Sequence, residues 1–484
     1  MPVSDRHPLY DEAAPQREIV RDCVKGSQAV KGARNSESEG SNGFYNYAGT
    51  KYLPAPNADD QSSENQLRYQ AYKVRASFVN FTGHTKDGFM GMIGRIAPEI
   101  ELPANLDYLI DNGDGAGLPL RQLAQNNISE LLEVGMNGLL SEFPMSEGGT
   151  AAQTADLQAT IKQYPAESII SFRQEVINGK KKLTSVVLAE DVEKSNGDES
   201  TYECVTYHRE LLLDDGVYKQ NIYDEDDNLL FFENEGELSP DLIPRKFDKS
   251  LWTEIPFEFS GAINNDPIPD KAPLYDLAEI NISHYRNSAD FEESAFMVGQ
   301  PTVAIIGLTN SWWKDVLNKT LRLGSRGGIP LPVGGDVKLV QASPNQMPER
   351  GMELKEAQMI KTGAKVITDS SGVETAEAAK IRFAGQNSKL ALVVSNTESS
   401  LKKAIGWCGE FMGVVNEDIL IDINKKFYEA TVNPQLLIAN MQLLDRGVIA
   451  MSDIRNQMRR AGQIEPDRAD EDIDNEQGQA NPLL

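Results

Sequence analysis

Apolar and polar positions alternate along this chain with a period that changes several times, and each change marks a different kind of element. From Glu64 to about Ile96, Leu67, Tyr72, Val74, Phe78, Phe81, Phe89, Met92 and Ile93 recur at roughly helical spacing until Pro98 ends the run. A second helix is expected over Leu120 to Leu140, after the Gly-rich NGDGAGLP. Residues 1 to about 65 lack sustained periodicity and are rich in Gly, Ser, Asn and Pro, which predicts a flexible N-terminal arm. Between 167 and 260 the period shortens: SIISFRQEVI, KKLTSVVLAEDV, TYECVTYHRELLL, GVYKQNIY and NLLFFENE are punctuated by NG, SNGDES, DDG and DEDDN. Asn178-Gly179 between two β-rich runs is a strong hairpin signal, so this region reads as an antiparallel β-meander.

Helical spacing returns after Pro267, Pro269 and Pro273, where Leu274, Leu277, Ala278, Ile282, Tyr285, Ala289 and Phe296 share one face of a helix on the order of 38 Å long. A Gly/Pro-punctuated stretch with short β runs follows, GQPTVAIIGL and GGIPLPVGGDVKLVQASP, and a helix restarts near Pro348. Beyond the loop TDSSG (Thr368 to Gly372), the segment from Val373 to Gly413 reads as the longest helix. Its positions Leu390, Val394, Thr397, Leu401, Ala404, Cys408 and Phe411 step by four and three, a seam suited to packing on another helix. Gly385, Gly406 and Gly409 each weigh against an unbroken rod by about 1 kcal/mol relative to Ala. A shorter helical pattern covers Pro434 to Arg460, ahead of a polar acidic tail expected to be disordered.

Composition narrows the function classes. A chain of 484 residues with 40% hydrophobic content exceeds one compact core and suits several packed regions. Its 47 Lys+Arg against 73 Asp+Glu give a formal charge of -26, which argues against a high-affinity DNA binder driven by counterion release. Cys23, Cys204 and Cys408 are far apart and lack CxxC spacing, so neither a disulfide framework nor a zinc site is expected. No run approaches the roughly 20 apolar residues of a spanning helix, and the first residues lack a basic stretch followed by an apolar one. The expectation is a protein without membrane association that matures in a reducing cytoplasm.

Candidate chemistry is sparse. No GxxxxGK[ST] is present, and GSRGG (Gly324 to Gly328) opens no such helix, so the phosphate cradle of a P-loop ATPase is missing. His7, His84, His208 and His284 are scattered, with no HExxH pair for a metal. Asp224-Glu225-Asp226-Asp227-Asn228 offers carboxylates for Ca²⁺ or acid/base work, but it lacks the EF-hand Gly and terminal Glu and reads as a solvated hairpin tip. Trp312-Trp313 beside Lys314 suits stacking on nucleic acid less well than filling an amphipathic turn or subunit contact. Lys355, Lys361, Lys365, Lys380 and Arg382 bracket the TDSSG loop and enrich positive charge there, although a solvated helix face reads the same way.

The order of these regions resembles the organisation of tailed-bacteriophage portal proteins. YLPAP (Tyr52 to Pro56), RYQAYKVRASFVNFTGHTKDGFMGMIGR, YPAESIISFR, LYDLAEINISHYRNSADFEESAFMVGQPT and TAEAAKIRFAGQNSKLALVVSNTESSLKKAIGWCGEFMG look like a portal-like phage family long catalogued as a domain of unknown function, over roughly residues 15 to 440. The resemblance implies an α+β portal fold: arm 1–65, wing 66–270, stem helices 271–298 and 349–366 around a small β-containing clip 299–348, tunnel loop 367–373, long wing helix 374–432, helical crown 433–470 and acidic tail 471–484. It implies a ring, typically of twelve subunits, at a capsid vertex in the virion, assembled in the host cytoplasm. Such a ring contacts the terminase large subunit, head-to-tail adaptors, the major capsid protein and scaffold, and carries double-stranded DNA non-specifically during packaging and ejection. Carried onto this chain, Lys355, Lys361, Lys365, Thr368, Asp369, Ser370, Ser371 and Gly372 would face the DNA channel. Trp312, Trp313, Arg322, Arg326, Gly327 and Gly328 would belong to the partner-binding clip. Neither a catalytic residue nor a cofactor is expected.

The charge suits that role: a twelve-membered ring would carry roughly -300, and negative walls let a polyanion slide instead of gripping it. Two other classes stay open: a minor capsid or head-to-tail connector protein without its own channel, and a metal-dependent hydrolase using Asp224 to Asp227.

Overall fold

The computed structural model describes residues 2–32, 50–144, 157–195, 202–234, 237–299, 302–317, 330–340, 345–363, 376–414, 418–425 and 427. Toward the end of the chain it describes 440–444, 446–447, 450–460, 464, 468–470 and 472–474. The first half runs α1 (Pro8–Lys25), α2 (Ser27–Lys31), α3 (Ser63–Arg75), α4 (Phe81–Ile93), β1 (Glu99–Glu101), α5 (Tyr108–Asp111), α6 (Leu120–Val134), β2 (Met136–Glu142), β3 (Thr160–Pro165), β4 (Ile169–Ile177), β5 (Lys180–Ser195), β6 (Tyr202–Asp214) and β7 (Val217–Tyr223). The second adds β8 (Phe232–Asn234), β9 (Glu237–Ser239), β10 (Phe257–Gly261), α7 (Tyr275–Gly299), β11 (Thr302–Ile306), β12 (Asp336–Val340), α8 (Met347–Thr362), α9 (Ala376–Met412), β13 (Leu420–Asp422) and α10 (Met451–Arg460). Helices and mostly antiparallel sheets occupy separate stretches, so the fold class is α+β.

Helix α9 is the spine of the core. All seven seam positions from Leu390 to Phe411 are buried, with Val394, Thr397, Leu401, Ala404 and Cys408 fully so. The seam packs chiefly on the β10-β2-β3 sheet and on α6, so its partner is partly a sheet where a helix was expected. One buried polar chain ties these layers: Asn137 Nδ2 donates to Asn127 Oδ1 (2.9 Å), Asn127 Nδ2 to Ser260 Oγ (3.1 Å), and Ser260 Oγ to Ser400 Oγ (2.6 Å). Buried polar groups paired in this way fix the register of one layer on another, because any slip costs them their partners; of these groups, Asn137 Oδ1 alone has no partner among the described residues. The helix ends at Gly413, whose φ of 77° is a left-handed C-terminal conformation, and β13 then pairs with β1. Helix therefore does not continue to 432 as expected.

The helix expected over Leu120 to Leu140 likewise ends early. Gly135 adopts φ 77°, and a Cβ there would sit 2.7 Å from the Asp270 carbonyl, so the position needs glycine twice over. Met136 onward becomes β2, the central strand of its sheet, buried at six of seven positions; a fully buried strand has no alternation to betray it. The run from Glu64 to Ile96 is two helices, because Asn80 breaks it and caps α4, its Oδ1 accepting the Gly83 amide at 2.7 Å.

The N-terminal region departs furthest from expectation: the flexible arm contains a docked helix. In α1, Val20 and Cys23 are fully buried and Arg17 nearly so. Arg17 Nη1 donates to the Ala166 carbonyl (3.2 Å), and Arg21 reaches Glu130, Glu133 and Glu167, the Glu133 contact at 2.7 Å. Tyr52 and Leu53, in the YLPAP segment, are buried as well.

The meander forms as expected, as the four-stranded antiparallel sheet β4-β5-β6-β7. Asn178 (φ 52°) and Gly179 (φ 75°) make the two-residue turn between β4 and β5. The β5–β6 pairing begins only at Ser185, so β4 and β5 continue past the sheet as a two-stranded finger from Gln174 to Leu183. A β-bulge at Thr184 marks its base, with Thr184 Oγ1 donating to the Arg173 carbonyl at 3.3 Å. The fifth run, NLLFFENE, stays outside that sheet, its strand β8 pairing with β9 in a separate two-stranded sheet.

Candidate functional site

Helices α7 and α8 are antiparallel and build a stalk. Contacts run in opposite senses along the two: Ser283 meets Lys355, His284 meets Glu356, and Gly351 lies against Asn287. The Gly351 contact sets their separation, because a Cβ there would lie 2.2 Å from Asn287 Nδ2. His284 Nε2 and Glu356 Oε1 are 3.2 Å apart, and the His284 ring stands edge-on to Phe81.

The base of the stalk is bolted to the core. Buried residues of α7 run from Leu277 to Ala289, and Met359 is fully buried on α8. Tyr72 Oη donates to Asp290 Oδ1 (2.6 Å), Ser288 Oγ to the Ser77 carbonyl (2.6 Å), and Arg286 Nε to the Tyr52 carbonyl (2.8 Å), while Arg75 pairs with Glu293. Beyond Ala289 the burial stops, and Phe296, Met297, Met347 and Leu354 are exposed.

At the far end sits the β11–β12 hairpin, paired from Thr302↔Val340 to Ile306↔Asp336. Among the described residues it is a two-stranded sheet, so both outer edges present amides and carbonyls with no strand partner there. Ile306, Val333, Leu339 and Val340 are exposed there, an apolar surface that the described residues leave uncovered.

The residues singled out from sequence divide three ways. Trp312 and Trp313 lie half-buried in one helical turn of the hairpin insert, and Trp312 Nε1 donates to the Pro330 carbonyl at 3.0 Å, so packing within the insert is their role in the single chain. Lys355 is partly buried between the stalk helices, where its ammonium donates to the Ser283 carbonyl at 2.9 Å. Burial between the stalk helices lowers its pKa from the ordinary lysine value, and the Arg286 charge adds to the effect. Lys361 is exposed near the end of α8. Lys365, Thr368, Asp369, Ser370, Ser371, Gly372, Arg322, Arg326, Gly327 and Gly328 lie outside the described residues, as does the tunnel loop 367–373.

The carboxylate run after β7 is a turn folded on itself. Asp224 Oδ1 accepts the amides of Asp226 (3.0 Å) and Asn228 (2.8 Å), Glu225 pairs with Lys194, and Asp227 takes up φ 59°. Among the described residues no group of three or more His, Cys, Asp or Glu is arranged to hold a metal ion.

A protein-family profile described as "Domain of unknown function (DUF4055)" matches residues 273–412, from the first stalk helix through α9. No curated protein matches the chain. Among solved structures, the chain is similar to one in "Virion of native gene transfer agent (GTA) particle", at 14% identity and TM-score 0.41, over 80% of this chain and 91% of that one. It is also similar to one in "Neck of empty GTA particle computed with C6 symmetry", at 13% identity and TM-score 0.40, over 78% of this chain and 90% of that one.

Sequence reading missed the pairs that join the stalk helices. His284 and Glu356 are 72 positions apart and Asn287 and Gly351 are 64 apart, too far for any local pattern to associate them. Gly351, inside an otherwise good helix former run, was the one available signal.

Proposed function

We propose that the chain is a head-to-tail structural component of a phage-like particle, and specifically the portal subunit, whose ring encloses the channel for double-stranded DNA at a capsid vertex. The observation that carries this reading is the stalk: two antiparallel helices rooted in the core that hold out a small sheet with two open edges and an exposed apolar surface. In a single chain that surface is a liability; in a ring, neighbouring hairpins cover it by edge pairing and side-chain packing. The long buried helix, the four-stranded sheet and the charge of -26 complete a rigid, acidic wall that polyanionic DNA slides past without being gripped. On this reading Lys361 and Lys365 make passing phosphate contacts in the channel, and the hairpin end meets the terminase large subunit and then the head-to-tail adaptors.

Negative-stain electron microscopy of the purified protein tests the proposal. Rings with rotational symmetry and a stained axial hole are the expected result. Monomers or closed dimers that persist across salt and protein concentration would end the portal reading and leave a connector without its own channel.

A further inference from the structure

We propose that the β4–β5 finger docks on a second copy of this chain, its lysines seated against the acidic opposite end of the same sheet in the neighbouring subunit. The proposal rests on the ring reading above and names a contact within that ring.

The finger projects from Ser185 to Lys180, about 17 Å beyond the last β5–β6 pair at 3.3 Å per residue. It carries Arg173 at its base and Lys180, Lys181 and Lys182 near its tip, with Glu175 as its one carboxylate. The three lysines are exposed, and among the described residues none is in an ion pair. In a chain of net charge -26 this is a local concentration of positive charge, with Lys181 and Lys182 lining a cleft they share with Glu254, Glu258 and Asp266 of the same chain without a direct ion pair among the described residues.

The other end of the sheet has the opposite character. Following β5 from Lys180 to Lys194 spans about 45 Å and reaches Asp191, Glu193, Glu203 and the turn Asp224 to Asp227. Lys194, bound to Glu225 at 2.8 Å, and His208, 3.5 Å from Asp227, are the basic groups among them. The strand order β4-β5-β6-β7 puts the finger on one edge and the acidic turn after the strand at the other edge. Basic and acidic poles thus sit at diagonally opposite corners of one sheet.

That arrangement is complementary to itself head to tail, and a closed ring of such contacts leaves no pole unmatched. It also answers the repulsion between copies that each carry -26, because opposite charge at the point of contact steers and registers association. DNA is the less favoured occupant: three lysines in so negative a field offer few phosphate contacts, whereas the acidic pole is delivered by every neighbouring copy.

The test compares wild type with Lys180→Glu/Lys181→Glu/Lys182→Glu, and with a chain carrying those changes plus Glu193→Lys and Asp226→Lys. Native mass spectrometry and electron microscopy read ring formation, and circular dichroism checks the fold. Wild-type rings that weaken with added sodium chloride, a lysine-reversed variant needing at least about tenfold more protein to form rings, and rings restored by the second reversal would support the contact. Lysine→Gln changes at the same three positions, which disturb the hairpin less, should fall between. Rings formed by the lysine-reversed variant at wild-type concentration would overturn the proposal. So would unchanged rings with a lost DNA mobility shift, which would make the finger a phosphate contact. Wild-type chains that never form rings would instead sink the ring reading itself, and this contact with it.

Discussion

Arg21→Ala should undock the N-terminal helix while leaving the rest of the core folded. Arg21 is the shared partner of Glu130, Glu133 and Glu167, and its loss leaves those three carboxylates facing one another with only Lys86 on Glu133 and the more distant Arg17 charge near Glu167 to offset them. Removing one partner of a fully buried pair costs about 3–5 kcal/mol. Here solvent screens the cluster, since the Arg21 side chain is 19% exposed and that of Glu167 41%, so about 2–3 kcal/mol is the better figure. At 1.36 kcal/mol per decade, the open population of α1 should rise roughly 30- to 150-fold. Hydrogen exchange measured peptide by peptide is the assay: amides of Pro8–Lys25 should lose protection while those of the α9 seam keep theirs. Arg21→Lys should recover part of the loss, because an ammonium keeps the charge but not the fork that spans three carboxylates. Exchange in α1 within about twofold of wild type would refute the argument that this cluster, and not the apolar residues Val20 and Cys23, holds the helix down.

Acid should act through the same cluster. Burial alone would raise the Glu167 pKa, but the hydrogen bond and charge of Arg21 outweigh it, so its carboxyl sits below the ordinary value. A carboxylate depressed on folding stabilises above its unfolded value of about 4.3 and loses that contribution as pH falls through the lower folded value, so α1 protection should decline below about pH 4.3. Arg21→Ala should flatten that acid limb, and an unaltered limb would assign it elsewhere. Leu401→Ala empties a fully buried seam position and should cost about 3–5 kcal/mol in denaturant unfolding; a loss under about 1 kcal/mol would mean the seam collapses around the gap. Leu339→Asp together with Ile306→Asp places charge on the exposed hairpin and should prevent ring formation without changing the monomer's circular dichroism, whereas intact rings would remove the hairpin from the interface.

Local signals carried much of the architecture. Asn178-Gly179 fixes its hairpin because both residues accept positive φ, and the four-and-three seam of α9 shows because all of its members are buried against neighbours. Prolines and glycines bracket the two stalk helices and the insert between them closely. What stayed hidden depended on contacts far apart in sequence. Helix α1 is held by Arg17 and Arg21, residues that read as solvent-facing until Ala166 and three glutamates are placed beside them. Strand β2 reads as helix because its neighbours β3 and β10, not its own residues, complete the sheet. The tie between Lys355 and the Ser283 carbonyl, which accepts its hydrogen bond from 72 positions earlier, is likewise invisible to any local pattern.

The depth at which α9 is set into the fold has a consequence for how the chain is made. Ser141 on β2 donates to the Ala404 carbonyl, 263 positions later. At 5–20 residues per second, the ribosome takes roughly 13–53 s to travel between them. Through that interval the apolar face of the central sheet waits in the cell without its cover, and contacts of such long range also close slowly. The surplus of carboxylates is then an asset of nascent chains before it is one of a finished wall: siblings emerging from the same message repel one another until each has drawn its own spine into place.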